Sequence, residues 1–260
     1  MKNKIIILFA VACYTITFTQ SAHAQSLGSK LGALIGKSND LDPTELPDSY
    51  DFNWLFKTIV KDSKGNTTQM DFLFMDDDAK YYGLEMSNEQ LKDQGKMFVV
   101  TDRGMKVSTM FMMKKAGMES QNMAQMVAIP DDVLDTEYSP EGGDYTFTEL
   151  PPKVILNFNC KGVQMENDEY LMTLFYATDA PVSFFKVFGD DKKSIPKGFD
   201  PRWLDKMKDG LVMEMVCTNK KKDKFSFTMT AQSLDQKEFS IHPAEFQFMN
   251  GIMMGMGAKN

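Results

Sequence analysis

The sequence predicts a mainly β, α+β fold: one large antiparallel sheet, curved or half-closed into a barrel, with a few short helices against its concave face. Three observations predict it. Apolar side chains recur at every second position through most of 50–112 and 153–245, the period that turns one face of a pleated strand toward a core. Turn-forming clusters such as Lys64-Gly65-Asn66, Asp76-Asp77-Asp78 and Asp102-Arg103-Gly104 interrupt these runs at close intervals. Segments with helical spacing are few and short, so little in the chain is available to cover the apolar face.

Residues 1–24 read as a secretory signal. Lys2 and Lys4 supply the charged start, Ile5 to Ala12 the apolar run, and Ala22-His23-Ala24 a small-residue cleavage site. The apolar run is shorter than the roughly 20 residues of a membrane span. The expected destination is the periplasm. Lipid anchoring at Cys13, which follows Ala10-Val11-Ala12, is the alternative. Residues 25–47 form an N-terminal segment and linker. A single β-rich domain is expected over 48–249 with an insertion at 113–152, and 250–260 is a glycine- and methionine-rich tail.

Within the domain, Phe52, Trp54, Phe56, Thr58 and Val60 mark a first strand. Met70, Phe72 and Phe74 mark a second, Tyr82, Leu84 and Met86 a third, Met97 and Val99 a fourth, and Met105 to Phe111 a fifth. Five short strands at this spacing read as a meander. The insertion breaks the period, and Met118, Met123 and Met126 read as one side of a short helix. A central hairpin follows, with Val154, Leu156, Phe158 and Cys160 on its first strand and Tyr170, Met172, Leu174 and Tyr176 on its second, turning at Glu166-Asn167-Asp168. Val182 to Phe188 and Pro201 to Met207 read as short helices, the latter capped by Asp200. Leu211 to Thr218 and Lys224 to Ser233 form another hairpin around a charged turn, and Phe239 and Ile241 a last short strand.

Composition excludes several activities. Without residues 1–24 the chain has 27 basic and 36 acidic side chains, a net charge of −9. It is a poor nucleic-acid binder, because that affinity comes from neutralising phosphates. One histidine remains, His242 beside Pro243, which removes multi-histidine zinc sites and largely removes Ser-His-Asp and Cys-His sites, since without partner motifs it reads as a surface residue at a strand end. There is no glycine-rich phosphate loop or nucleophile elbow. The chain therefore reads as a non-enzyme with no cofactor and no metal. Asp76-Asp77-Asp78 lacks the ligand spacing of a calcium loop and reads as a solvated turn.

Cys160 and Cys217 both fall on apolar registers. A single disulfide between them suits an oxidising compartment, and two buried free thiols are the alternative. The 21 methionines of residues 25–260 suit either an adaptable apolar lining or soft ligation of Cu(I), if they gather on one accessible surface without competing burial. From strand faces, the expected lining of a ligand cavity is Trp54, Phe56, Phe72, Phe74, Met213 and Phe227. Apolar strand residues are more often plain core, and these six suit that reading first.

LPDSYDFNW (Leu46–Trp54), Phe158-Asn159-Cys160-Lys161-Gly162, NDEYLMTLFYATDAPV (Asn167–Val182) and SFTMTAQSLDQKEFSI together resemble an exported family of unassigned function common in Bacteroidetes. That family is distantly similar to periplasmic lipoprotein carriers. The resemblance implies a half-barrel around a lipid-accepting cavity, with a lipid or lipoprotein acyl chain as partner. It implies no catalytic residue. The expected function is non-enzymatic binding of such an apolar ligand. A Cu(I)-handling protein and an envelope scaffold without a small ligand are the alternatives.

Overall fold

The computed structural model describes residues 41–76, 81–87, 95–114, 121–129, 146–183 and 209–249. Twelve strands in these residues form one sheet: β1 (Tyr50–Asp62), β2 (Thr67–Phe74), β3 (Tyr81–Ser87), β4 (Gly95–Asp102), β5 (Val107–Lys114), β6 (Met123–Ala128), β7 (Thr146–Ile155), β8 (Phe158–Glu166), β9 (Tyr170–Ala177), β10 (Leu211–Asn219), β11 (Phe227–Ile241) and β12 (Gln247–Phe248). The order across the sheet is β12-β6-β5-β4-β3-β2-β1-β11-β10-β9-β8-β7. Every neighbour is antiparallel except the short parallel pairing of β12 with β6.

The expected meander is β1 to β5. Its first turn is set by Asp62, whose Oδ1 accepts the N–H groups of Lys64 at 2.9 Å and Asn66 at 2.8 Å, while Gly65 takes a positive φ of 87° that a side chain would resist. Contact with the Asn66 side chain holds the Asp62 carboxyl below its ordinary range.

The sheet bends strongly. Four strand spacings separate β1 from β5, which in a flat sheet is about 19 Å. Yet the rings of Tyr50 on β1 and Phe111 on β5 lie 6.2 Å apart. Phe239 of β11 likewise reaches Phe98 of β4 at 4.9 Å. This curvature divides the interior between the two faces. The first core joins Phe56, Met70, Phe72, Phe74 and Leu84 to Val163, Leu174, Met213, Met215 and Met229. The second, on the opposite face, joins Tyr50, Phe52, Leu55 and Leu73 to Phe98, Val100, Phe111, Ala124 and Ile241. They overlap at β1 and β2, so Met70 to Phe74 is buried at every position instead of alternating. Residues 41–46, expected as linker, instead help close the second core with Leu41 and Leu46. A 3-10 turn, Pro43–Glu45, shapes this segment, capped by Asp42, whose Oδ1 accepts from the Thr44 N–H at 2.9 Å.

Several expectations are corrected. Met123 and Met126 lie on β6 and not on a helix, and β7 begins inside the supposed insertion at Thr146. Val154 to Cys160 is not one strand. Leu156 and Asn157 have φ of 50° and 69°, and Ile155 pairs with Phe158, so a two-residue hairpin turn divides it into β7 and β8. Phe239 and Ile241 end the 15-residue β11 and do not form a separate strand. The segments 1–24, 184–208 and 250–260, with Met118, lie outside the described residues. They include most of the two helices expected after Pro181 and Asp200. Among the described residues no helix is long and apolar enough to cross a membrane.

At the far margin, β7 is half-exposed to exposed throughout. Its pairing with β8 shifts register between Leu150 and Lys153, where Pro151 and Pro152 have no N–H to donate.

Candidate functional site: an apolar sheet face that opens at one end

The six residues expected to line a cavity gather in one place. Phe56, Phe72, Phe74 and Met213 are core members of the first cluster, and Trp54 and Phe227 pack against it partly buried. The first four are sealed, none more than 3 % exposed. The Phe72 and Phe74 rings lie nearly parallel, 6.1 Å apart. Trp54 stands at the margin. Its indole N–H donates to the Asp76 carboxylate, which also accepts from the Asn53 amide, so the first carboxylate of the aspartate turn anchors this rim.

Pairing traces the same face outward from these residues. Phe56 opposes Phe72, Phe72 opposes Leu84, Leu84 opposes Val99, and Val99 opposes Met110. Directly opposed residues share a face. One step along, Met97 opposes Met112 and Met112 opposes Met123. Up to Leu84 the row is closed. From β4 onward it is half-buried: Met97, Val99, Met110, Met112, Met123 and Val127 are all of intermediate exposure, and none is a member of either core. The opposite side of the same three strands is the second core, with Phe98, Phe111 and Ala124 fully buried. The sequence marked these methionines as unusual but assigned Met123 to a helix. Only the strand register shows that they share a face.

Strand β6 is held firmly at this end. The Asn122 side chain accepts the Lys114 N–H at 3.0 Å. The N–H groups of Gln247 and Met249 donate to the carbonyls of Asn122 and Ala124, both at 2.9 Å.

The expected disulfide is corrected. Cys160 and Cys217 are both buried free thiols. Cys217 on β10 opposes Met172 of β9, whereas Cys160 on β8 sits next to Lys161, which opposes Tyr176. A whole strand and several residues of offset separate the two, beyond the reach of about 7 Å between Cα atoms that a bridge allows. Burial pushes the Cys217 thiol up to about 11 and raises that of Cys160, so neither is an activated nucleophile. Among the described residues no group of three or more His, Cys, Asp or Glu side chains is placed to hold a metal ion.

No protein-family model matches the chain, and no curated protein matches it. The expected membership of an exported Bacteroidetes family is therefore not supported. Several solved structures are similar in outline. One is PNGF-II in a P21 crystal, at 12% identity and a TM-score of 0.38, with 76% of this chain and 31% of that one covered. Another is MucB, at 9% identity and 0.37, with 82% and 60% covered. A third is the LolA superfamily protein NE2245 from Nitrosomonas europaea, at 10% identity and 0.24, with 80% and 94% covered. The chain thus spans about a third of the PNGF-II chain and three fifths of MucB. At these TM-scores none of the likenesses carries an argument about function.

Proposed function

We propose that this protein is a non-enzymatic exported protein that works in the periplasm and holds a lipid, or the acyl chain of a lipoprotein, against the open end of its curved sheet. One observation carries the reading: a single apolar face passes in register from the sealed Phe56–Phe72–Leu84 row to the half-buried Val99–Met110 row. An apolar surface left incompletely packed beside a core is where an apolar guest gains most from leaving water. The flexible Met110 thioether adapts to an irregular chain, and Trp54, anchored by Asp76, stands half-buried at the margin of the sealed cluster.

Delipidated protein lacking residues 1–24, titrated with a fluorescent fatty acid, is expected to bind it. Val99→Asp and Met110→Lys are expected to weaken binding by about tenfold or more, because each places a charge beneath the chain. Unchanged circular dichroism will show that both variants fold. No binding by the unmodified protein, or equal binding by both variants, overturns the proposal.

A further inference from the structure

The methionine row on this face has a property beyond apolarity. Positions 70, 86, 97, 112 and 123 are successive partners across β2 to β6, and all five are methionine. Met70 is sealed in the first core. Met97, Met112 and Met123, on three adjacent strands, are half-buried and members of neither core. A packed core takes up thioethers as filler. Among the described residues these three share one face, are only half-buried and pack into neither core, so part of each thioether is left for a further contact.

The spacing fits one ion. Adjacent strands lie about 4.8 Å apart, so the outer Cα atoms of the three stand on either side of Met112 by that distance. A methionine sulfur lies roughly 4 Å from its Cα by ordinary bond lengths, and a sulfur–metal bond adds about 2.3 Å. An ion above Met112 is therefore within reach of all three sulfurs. Met110, two residues from Met112 on the same face, stands beside the row as a fourth thioether. The outer ligand, Met123, rides on the strand clamped by Asn122 and by the pairing with β12, so the three backbones are held at a fixed spacing. Thioethers alone, without carboxylate or imidazole, select soft Cu(I) over zinc, calcium or magnesium.

We propose that Met97, Met112 and Met123 form a binding site for a single Cu(I) ion on the open face of the sheet. The proposal is independent of acyl-chain binding, and the two are tested with separate probes on the same protein.

The test is anaerobic titration of the protein lacking residues 1–24 against a chromogenic Cu(I) chelator. One equivalent of Cu(I) is expected to be withdrawn from the chelator. Met97→Leu, Met112→Leu and Met123→Leu, which keep side-chain volume, are each expected to weaken binding by more than the roughly tenfold that loss of an outer-shell contact costs. Met105→Leu, packed against the second core, is expected to leave it unchanged. The proposal is overturned if the unmodified protein fails to compete at micromolar chelator, or if all three Leu variants bind as it does. The single variants are read individually, each with a melting curve, so a folding defect in one leaves the other two to decide. Failure to bind the fatty acid leaves the copper result intact, and the converse also holds.

Discussion

Asp71 shows what burial on both sides of a strand does to one side chain. It sits on β2 between Met70 and Phe72 and is 6 % exposed. Burial raises its carboxyl pKa, against the opposing effect of the Gln69 amide, which donates to its two oxygens at 3.0 and 2.9 Å. A carboxyl with a raised folded pKa stabilises the fold fully only below its unfolded value of about 3.9, and that contribution is lost as pH rises through the folded value. Asp71→Asn removes the dependence. Thermal melts are expected to show the variant more stable than the parent at pH 7, with the difference vanishing near pH 3. A variant less stable at pH 7 contradicts this account. Leu156 is the converse case, an apolar side chain in the left-handed region. Such a conformation costs about 1–3 kcal/mol, and here the side chain recovers part of that by packing on the first core.

Single elements explain which features were legible. The β8–β9 hairpin was read from its alternation and from Asn167, whose Oδ1 accepts the N–H groups of Glu169 at 2.9 Å and Tyr170 at 2.7 Å. It also holds a close approach. A Cβ on Gly162 would lie 2.7 Å from the Phe175 ring and 2.8 Å from Leu150 Cβ. Phe175 is in turn covered by the Lys153 ammonium, 4.1 Å from its centroid, and Lys153 pairs with Glu214 at 2.6 Å. Gly162→Ala is therefore expected to destabilise the protein by about 1–3 kcal/mol, the usual cost of overpacking, as measured by urea denaturation. An unchanged midpoint would show that the ring yields freely. The turn at Leu156-Asn157 is hidden in the sequence because apolar or cysteine side chains stand at every second position straight through it, at Val154, Leu156, Phe158 and Cys160. In the hairpin Ile155 pairs with Phe158, so Val154, 71 % exposed, falls on the face opposite Phe158 and the buried Cys160. The left-handed turn also lacks the glycine that usually announces one. Strand β6 was missed for a related reason. Met123 and Met126 are spaced like one face of a helix, but Met126 faces the second core while Met123 lies on the opposite, open side.

At the scale of the molecule, curvature was inferable and its division into two cores was not. Apolar alternation reports that one side of a strand is buried. It does not report that β1 and β2 are buried on both, with Leu55 and Leu73 serving one core and Phe56 and Phe72 the other. Nor did any local signal show that Phe246, far along the chain, would pack its ring 4.8 Å from that of Phe111. The doubly covered middle is expected to govern stability. Hydrogen exchange should be slowest at the amides of 55–58 and 70–74 and fastest in β7 and β12, the margins of the sheet. Equal protection across the sheet contradicts a stability centred there.

The paired prolines of β7 have a consequence for how copies of this protein meet. A sheet this wide, ending in an unprotected strand, would offer its neighbours a template for stacking into fibres. Pro151 and Pro152, beside the register shift, leave that border short of donors, which works against extension of the sheet by a second molecule there.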